Sequence, residues 1–404
     1  MENSLPYPIV YPSPEIHIPS ICENEEIMAK YRGGVIGLGW MGMLYDIATR
    51  TSDRFEIDDA DRPTPELDIH RRIHHQAHPG DEGSPTTYAA ALADRDEIDL
   101  VAAADRDVKR LNAFTGRYGI DSVYTDAEEM LKNENLDIVA IPTNTKGRAD
   151  LTVMAVKYGA KGIFTDKPMA HTLEEADRMV KVCADAGVAL NCGAITTTHP
   201  SFEVAKNLIA DGEIGEVLSI SASGATAQHQ NWSYFLDSPP AWAIGTGDIP
   251  RSESGSDEFR GTGMLVAEDG TTVHFVQGST GVRITGTEGE IAFSGYSKWK
   301  LEKDLMVHWY GDDPKGKGRT EMKFRNEMPF PGPQFLTPYG AIYSLDDVMR
   351  TIAGEIDEPK NSGRRVAVAI ETEIALKLSS DQGGKRIDFP VADRSLRLNY
   401  DWFR

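Results

Sequence analysis

The sequence predicts two domains. The first is an N-terminal α/β Rossmann-type domain on a parallel, doubly wound sheet. The second is a C-terminal α+β domain on a large, mainly antiparallel open sheet. Three observations predict this. A buried apolar strand runs into the turn Gly37-Leu38-Gly39-Trp40-Met41-Gly42 and on into a helix start. Short apolar strands then alternate with amphipathic helices from Ile98 to Cys192, the pattern of a parallel sheet covered by helices. After about Ile195 the rhythm changes, and apolar runs pair around tight turns instead.

The composition bounds the function classes. A chain of 404 residues is too long for one ordinary core. At 40% hydrophobic and 26% charged, it has the balance of a soluble globular protein. A formal net charge of -21 argues against a nucleic-acid or anionic-membrane partner, and no apolar run is long enough to span a bilayer. Cys22, Cys183 and Cys192 form no disulfide framework or metal spacing, which fits a reducing cytoplasm. Cys183 lies in a helical pattern and Cys192 at a strand end, so both read as small core residues.

Taken in order, residues 1–30 are punctuated by proline and lack a basic or apolar leader pattern, and they read as a flexible arm. Gly34 to Ile36 end the first strand. In the turn that follows, Gly37 permits a tight bend, Gly39 leaves room for a pyrophosphate, and Gly42 lets helix and strand pack closely. Trp40 and Met41 open the helix, whose N–H groups and positive dipole end suit phosphate. A dinucleotide fold next needs a strand ending in an acidic residue. The best one, Ile98 to Ala104 before Asp105-Arg106-Asp107, arrives late, so residues 43–95 read as an insertion-bearing connection closed by a helix from Pro85 to Asp94. Asp105 at that strand end would bind the ribose hydroxyls and favours NAD, while Arg106 leaves NADP open.

The remaining elements of the first domain are regular. Val108 to Tyr118 reads as a helix, Val123-Tyr124 as a short strand, and Asp126 caps a helix from Ala127 to Lys132. Leu136 to Ile141 is a strand stopped by Pro142-Thr143-Asn144, and a helix from Arg148 to Tyr158 leads to the strand Gly162 to Thr165 and to Asp166-Lys167-Pro168. Thr172 with Glu175 forms a capping box for a helix to about Ala186, and Val188 to Cys192 completes a domain spanning 31–194.

The second domain, 195–391, begins with a helix from Phe202 to Ala210 and a strand from Val217 to Ser223. Strands follow at Gly263 to Glu268, Thr271 to Gln277, Val282 to Thr285, Glu290 to Phe293 and Trp299 to Tyr310. Helices Ser344 to Gly354 and Arg365 to Ser379, packing back toward the first domain, precede a last strand at Arg386 to Pro390 and a tail over 392–404.

The glycine turn, the Asp105 strand end, Ile141-Pro142-Thr143-Asn144 and Asp166-Lys167-Pro168, joined to an antiparallel second domain, together resemble the glucose-fructose oxidoreductase / inositol dehydrogenase / MocA (Gfo/Idh/MocA) family. Leu208 to Val217, Gly286-Thr287-Glu288-Gly289 and Ser362-Gly363-Arg364-Arg365 support it, so the resemblance covers about Tyr31 to Val391. It implies an NAD(P)-dependent oxidoreductase acting on a secondary alcohol of a sugar, polyol or glycoside, as a homodimer or homotetramer. It also implies that Lys167 stands beside the nicotinamide with Asp166 and Pro168, and that Pro142, Thr143 and Asn144 line that side of the cleft. Oxidising an alcohol requires a group to take the hydroxyl proton, and a lysine beside a cationic ring would have a lowered pKa suited to the task.

The chain departs from the family in its second domain. The family's D-x-G-x-H-x-x-D string is missing, and Gln228 and Asn231 stand at its His and Asp positions, with His229 as the alternative acid/base. Gln and Asn can hydrogen-bond a polyol but cannot shuttle a proton. Thr196, Thr198 and His199 replace a polar cleft wall; His199 equally suits a cap on the following helix. Trp232 and Trp242 suit either a platform for a sugar face or packing. His70, His74 and His78 share one helical face in the insertion, next to His75. A solvated or packed stripe, a lid and a zinc site are the readings there, and no metal is assigned. Two other functions stay open: an enzyme that recycles its NAD through oxidation, elimination and reduction of a sugar, and a non-catalytic dinucleotide-binding protein.

Overall fold

The structure is a computed structural model that describes residues 30–44, 87–193, 200–222, 224, 230–247, 249, 259–276, 282–294, 304–311, 318–324 and 340–399. The first sheet contains β1 (Tyr31–Ile36), β2 (Ile98–Ala104), β3 (Val123–Tyr124), β4 (Ile138–Ile141), β5 (Gly162–Asp166) and β6 (Ala189–Gly193). Its order is β3-β2-β1-β4-β5-β6, and every pairing is parallel. This is the doubly wound order expected from the alternating strands and helices.

Between these strands run α1 (Tyr88–Ala93), α2 (Val108–Tyr118), α3 (Ala127–Glu134), α4 (Arg148–Lys157) and α5 (Leu173–Ala186). Their starts follow the sequence signals. Asp126 Oδ1 accepts the Glu129 N–H at 3.0 Å. Thr172 and Glu175 form the reciprocal capping box, with bonds of 3.1 and 3.2 Å. Such caps satisfy N–H groups that the helix itself leaves open and stabilise it by about 1 kcal/mol each.

Among the described residues the second sheet has nine strands: β7 (Val217–Ala222), β8 (Pro240–Thr246), β9 (Thr262–Ala267), β10 (Thr272–Phe275), β11 (Arg283–Gly286), β12 (Gly289–Ser294), β13 (Asp304–Trp309), β14 (Arg319–Phe324) and β15 (Ile387–Asp388). The order is β14-β13-β12-β11-β7-β10-β9-β8-β15, antiparallel throughout except for β7 with β10. Two strands, β8 and β14, are additional to those read from the sequence.

β8 escaped detection because its inward residues are Ala243 and Gly245 rather than large apolar ones. They are small because α8 (Gly363–Asp381) lies directly on them: a Cβ on Gly245 would fall 2.5 Å from the Leu376 carbonyl oxygen. β14 is an edge strand whose Arg319, Glu321 and Lys323 alternate along one face, with Arg319 and Lys323 over the Trp309 ring. Charged residues are what edge strands tolerate, and they hide the apolar period.

The core falls into two clusters. One gathers Val35, Leu38, Tyr88, Leu92, Phe114, Ile138 and Phe164 with Leu345 and Val348 of α7 (Gly340–Ile352), so this helix packs on the parallel sheet. The other runs from Val139, Ile163 and Cys192 through Phe202 of α6 (Pro200–Ala210) into Ile220, Leu265 and Ile374. It joins the far side of the first sheet to the inner face of the second. Cys183 and Cys192 are buried within it, and burial pushes both thiols up to about 12. No helix among the described residues is long and apolar enough to cross a membrane.

Candidate functional site

β1, β4 and β5 are neighbours, so three loops leave the sheet edge side by side: the glycine turn, Pro142–Asn144 and Asp166–Pro168. The strand order reverses between β1 and β4, and doubly wound sheets bind nucleotides in the crevice at such a reversal. The local sequence explains how the turn is built. Gly37 takes φ +99°, closed to most residues, while its N–H donates to the Ala104 carbonyl at 2.8 Å. A Cβ on Gly42 would fall 2.0 Å from the Gly37 carbonyl oxygen, so only glycine lets the chain fold back that tightly. Gly39 is open: among the described residues, a Cβ there would meet only Arg110 Nη1, at 3.7 Å. Trp40–Leu44 continue as a π-helical turn, the Met43 and Leu44 N–H groups both donating to the Gly39 carbonyl at 2.9 and 3.1 Å.

Asp105 braces this turn. Its Oδ2 accepts the Leu38 N–H at 2.6 Å, and its Oδ1 accepts the Asp107 N–H at 2.8 Å. Each carboxylate oxygen keeps a second lone pair for a further donor. Arg106 is exposed. Arg110, which the sequence reading passed over, reaches the turn from the first turn of α2 and lies 3.8 Å from Asp105 Oδ2 and 3.6 Å from Asp107 Oδ2. The signal was present: Asp107 caps α2, and a residue three positions on returns to the same side.

Pro142 is buried, Asn144 exposed, and Thr143 lies against the glycine turn, its Cγ2 2.9 Å from where a Gly37 Cβ would be. The Thr143 hydroxyl is buried and has no hydrogen-bond partner among the described residues. On the next strand end, Asp166 Oδ1 accepts the Lys167 N–H at 2.8 Å, Lys167 is half-buried, and the Lys167–Pro168 peptide is cis. A buried arginine ties these loops together. Arg148, only 1% exposed, donates from Nη1 to the Asp166 carbonyl at 2.5 Å and to the Pro168 carbonyl, and from Nη2 to the Thr143 carbonyl. Burial pulls its guanidinium below the usual value, and the Asp166 carboxylate opposes this. The phenol of Tyr88 donates to the Thr165 carbonyl at 3.0 Å, and burial, aided by Asp166, pushes it well above its ordinary value.

The remaining candidates divide. Thr196, Thr198, His199, Gln228 and His229 lie outside the described residues, as do Cys22 and the insertion histidines His70, His74, His75 and His78. Asn231 and Trp232 fall in a 3-10 turn, Gln230–Phe235, and are 2% and 0% exposed. Trp232 packs edge-on against Phe275 at 5.2 Å and presents no open face to a sugar. Its partial counterpart Trp242 is half-buried on β8 under the Arg386 guanidinium. A cleft of about 700 Å³ lined by Tyr31, Glu203, Asp347, Arg350 and Lys360 opens by the starting ends of β1 and β2, opposite the glycine turn. Nucleotides bind at the other ends of such strands, so this cleft is not the dinucleotide crevice.

Residues 83–194 match the family described as the oxidoreductase family with NAD-binding Rossmann fold, Gfo/Idh/MocA. The match lies within the Rossmann domain and covers less than half of the chain. The match takes in α1, β2 to β6 and the Asp166-Lys167-Pro168 loop, and begins inside the 43–95 connection that separates β1 from them. A D-apiose dehydrogenase of Paraburkholderia graminis is 36% identical over 125 residues, 31% of this chain and 33% of that protein. A myo-inositol 2-dehydrogenase of Thermotoga maritima is 28% identical over 131 residues, 32% of this chain and 39% of that protein. The chain thus matches these curated relatives over between a third and two-fifths of their length.

Solved structures match nearly throughout. An NAD-binding oxidoreductase from Klebsiella pneumoniae superposes with a TM-score of 0.63 at 17% identity, covering 90% of this chain and 100% of that one. An aldose-aldose oxidoreductase from Caulobacter crescentus, complexed with glycerol, gives 0.57 at 16% identity, with 89% and 100% covered. At these identities the likeness establishes a shared two-domain fold.

Proposed function

We propose that this protein is an NAD-dependent oxidoreductase that oxidises or reduces a secondary alcohol of a sugar or polyol, with Lys167 as acid/base. The observation that carries the reading is the placement of Lys167, one strand from Thr143 and two from the glycine turn, on the same edge of the parallel sheet. The site fits a dinucleotide. Gly37 and Gly42 form a cradle that a side chain would fill, Gly39 leaves its backbone approachable, and Thr143 offers a buried hydroxyl in need of a partner. The amides from Gly39 to Met41 and the opening helical turn would hold the phosphates. Asp105 orients the ribose hydroxyls with its remaining lone pairs, and Asp166 fixes the lysine backbone. NAD, when bound, supplies the hydride acceptor. Lys167 Nζ takes the proton from the substrate hydroxyl in oxidation and returns it in reduction. His229, Gln228, Thr196 and His199 are the chain's own candidates for gripping the sugar, and Asn231, buried at 2% exposure, is not among them. The apiose and inositol dehydrogenases make a sugar or polyol the substrate class to test first.

The test is absorbance of reduced cofactor in a panel of sugars, polyols and glycosides with NAD and separately NADP. Turnover that vanishes in Lys167→Ala, with NAD binding intact, supports the assignment. Silence across the panel, or full turnover by Lys167→Ala, sinks it. A cytoplasmic location fits the two free, buried thiols. A dimer or tetramer is proposed through the sheet face opposite α8, which carries half-buried Ile244, Met264 and Val266 and exposed Val276. Light scattering on purified protein checks the oligomer, and a monomer at working concentration rejects it.

A further inference from the structure

We infer that Arg148 is a positioning residue that locks the lysine loop to the loop beside the glycine turn. The inference rests on the functional reading above, since it concerns the placement of Lys167. Arg148 is almost fully buried, and its two Nη atoms donate to three carbonyl oxygens in two loops: Thr143 after β4, and Asp166 and Pro168 on either side of Lys167. No carboxylate directly neutralises it in these bonds, and its Nε is buried without a partner among the described residues.

The charge also stands at the first residue of α4, next to the N-cap Gly147, where a cation opposes the helix dipole. A buried cation placed against the dipole is unfavourable for folding, and an apolar side chain would fill the space at less cost. What an apolar residue cannot do is span three carbonyls with a rigid planar fork. That fork sets the separation between Thr143, which touches the glycine turn, and the backbone flanking Lys167. Misplacement of a reacting group by about 1 Å costs about 100-fold in rate, so this separation governs whether the lysine acts.

The test reads Lys167 itself. Lysines of the full-length protein are acetylated with acetic anhydride across a pH series, with and without NAD, and the Lys167 peptide is quantified by mass spectrometry against Lys181, an exposed lysine on α5. In the native protein NAD should slow Lys167 labelling. In Arg148→Lys and Arg148→Gln that protection should fall about tenfold and the Lys167 labelling profile should shift in pH, with Lys181 unchanged. A purely structural Arg148 would lower the melting temperature and leave the Lys167 profile as in the native protein; that result overturns the inference. If NAD fails to affect Lys167 in the native protein, the functional reading fails, and the pH profiles of the variants alone judge the coupling. Should neither variant fold, amide hydrogen exchange on the native protein decides. NAD should slow exchange in 142–147 and 166–171 together, and protection confined to 142–147 refutes the lock.

Discussion

The glycine turn allows a prediction in which two neighbouring substitutions separate protein packing from cofactor binding. In Gly42→Ala the new methyl would stand 2.0 Å from the Gly37 carbonyl oxygen, whereas ordinary contact begins at 3.4 Å. The turn must open by more than 1 Å, which is enough to break the hydrogen bonds its amides would make to a pyrophosphate. Losing two charge-assisted bonds at about 1.5–3 kcal/mol each weakens NAD binding by roughly 10²- to 10⁴-fold. The same strain exists without cofactor, so the melting temperature of the apoprotein falls too. In Gly39→Ala the methyl meets only Arg110 Nη1 among the described residues, at an ordinary 3.7 Å. The apoprotein should therefore melt as the native protein does, while NAD affinity falls because the methyl occupies the approach of the phosphates. Calorimetric titration with NAD and thermal unfolding without it measure the two effects separately. Native NAD affinity in Gly39→Ala would refute a pyrophosphate path over this residue. An unchanged melting temperature in Gly42→Ala would refute the packing argument.

Two further predictions concern the second domain and its junction with the first. Trp232→Ala should cost about 3–5 kcal/mol in denaturant unfolding, because a fully buried indole against Phe275 is removed; loss of sugar binding at native stability would return Trp232 to the platform role. Glu203 is held below its usual carboxyl range first by its hydrogen bonds to Arg350, at 2.8 Å each. Its folded value is depressed, so it contributes stability above its ordinary value of 4.5, and this fades as pH falls through the lower folded value. Urea midpoints of Glu203→Gln should lie below native at neutral pH and converge with native in acid. A gap that stays constant with pH removes the ion pair as the cause.

The first domain was legible because its signals are local. The Thr172–Glu175 capping box, the Asp126 cap and the apolar runs of β4 to β6 each depend on a few adjacent residues, and the structure forms each of them. Asp105 was singled out from its place at a strand end alone, and its bonds to Leu38 and Asp107 were not legible there. Arg148 was read only as a helix start, because its role depends on carbonyls from two loops that the fold brings together. β8 was missed because a helix from the far end of the chain, not the strand itself, dictates its small inward residues. Trp232 shows the converse limit: composition suggested a sugar platform or packing, and only the tertiary contact with Phe275 shows the indole buried in the core.

The late arrival of β2 has a kinetic consequence. β1 lies between β2 and β4, yet the whole stretch from Gly37 to Glu97 separates it from β2 along the chain. Doubling such a loop adds only about 0.6 kcal/mol to closure, so the insertion is thermodynamically cheap. Its effect falls on order of assembly, since pairings distant in sequence form slowly. Strands β2 to β6 follow one another at short intervals and can gather first, leaving a gap between β2 and β4. The strand that carries the glycine turn is then the last to enter the sheet. On this account, a ligand that grips the turn acts as a clasp on the final step of folding, and bound NAD should slow the release of β1 during unfolding more than that of any other strand.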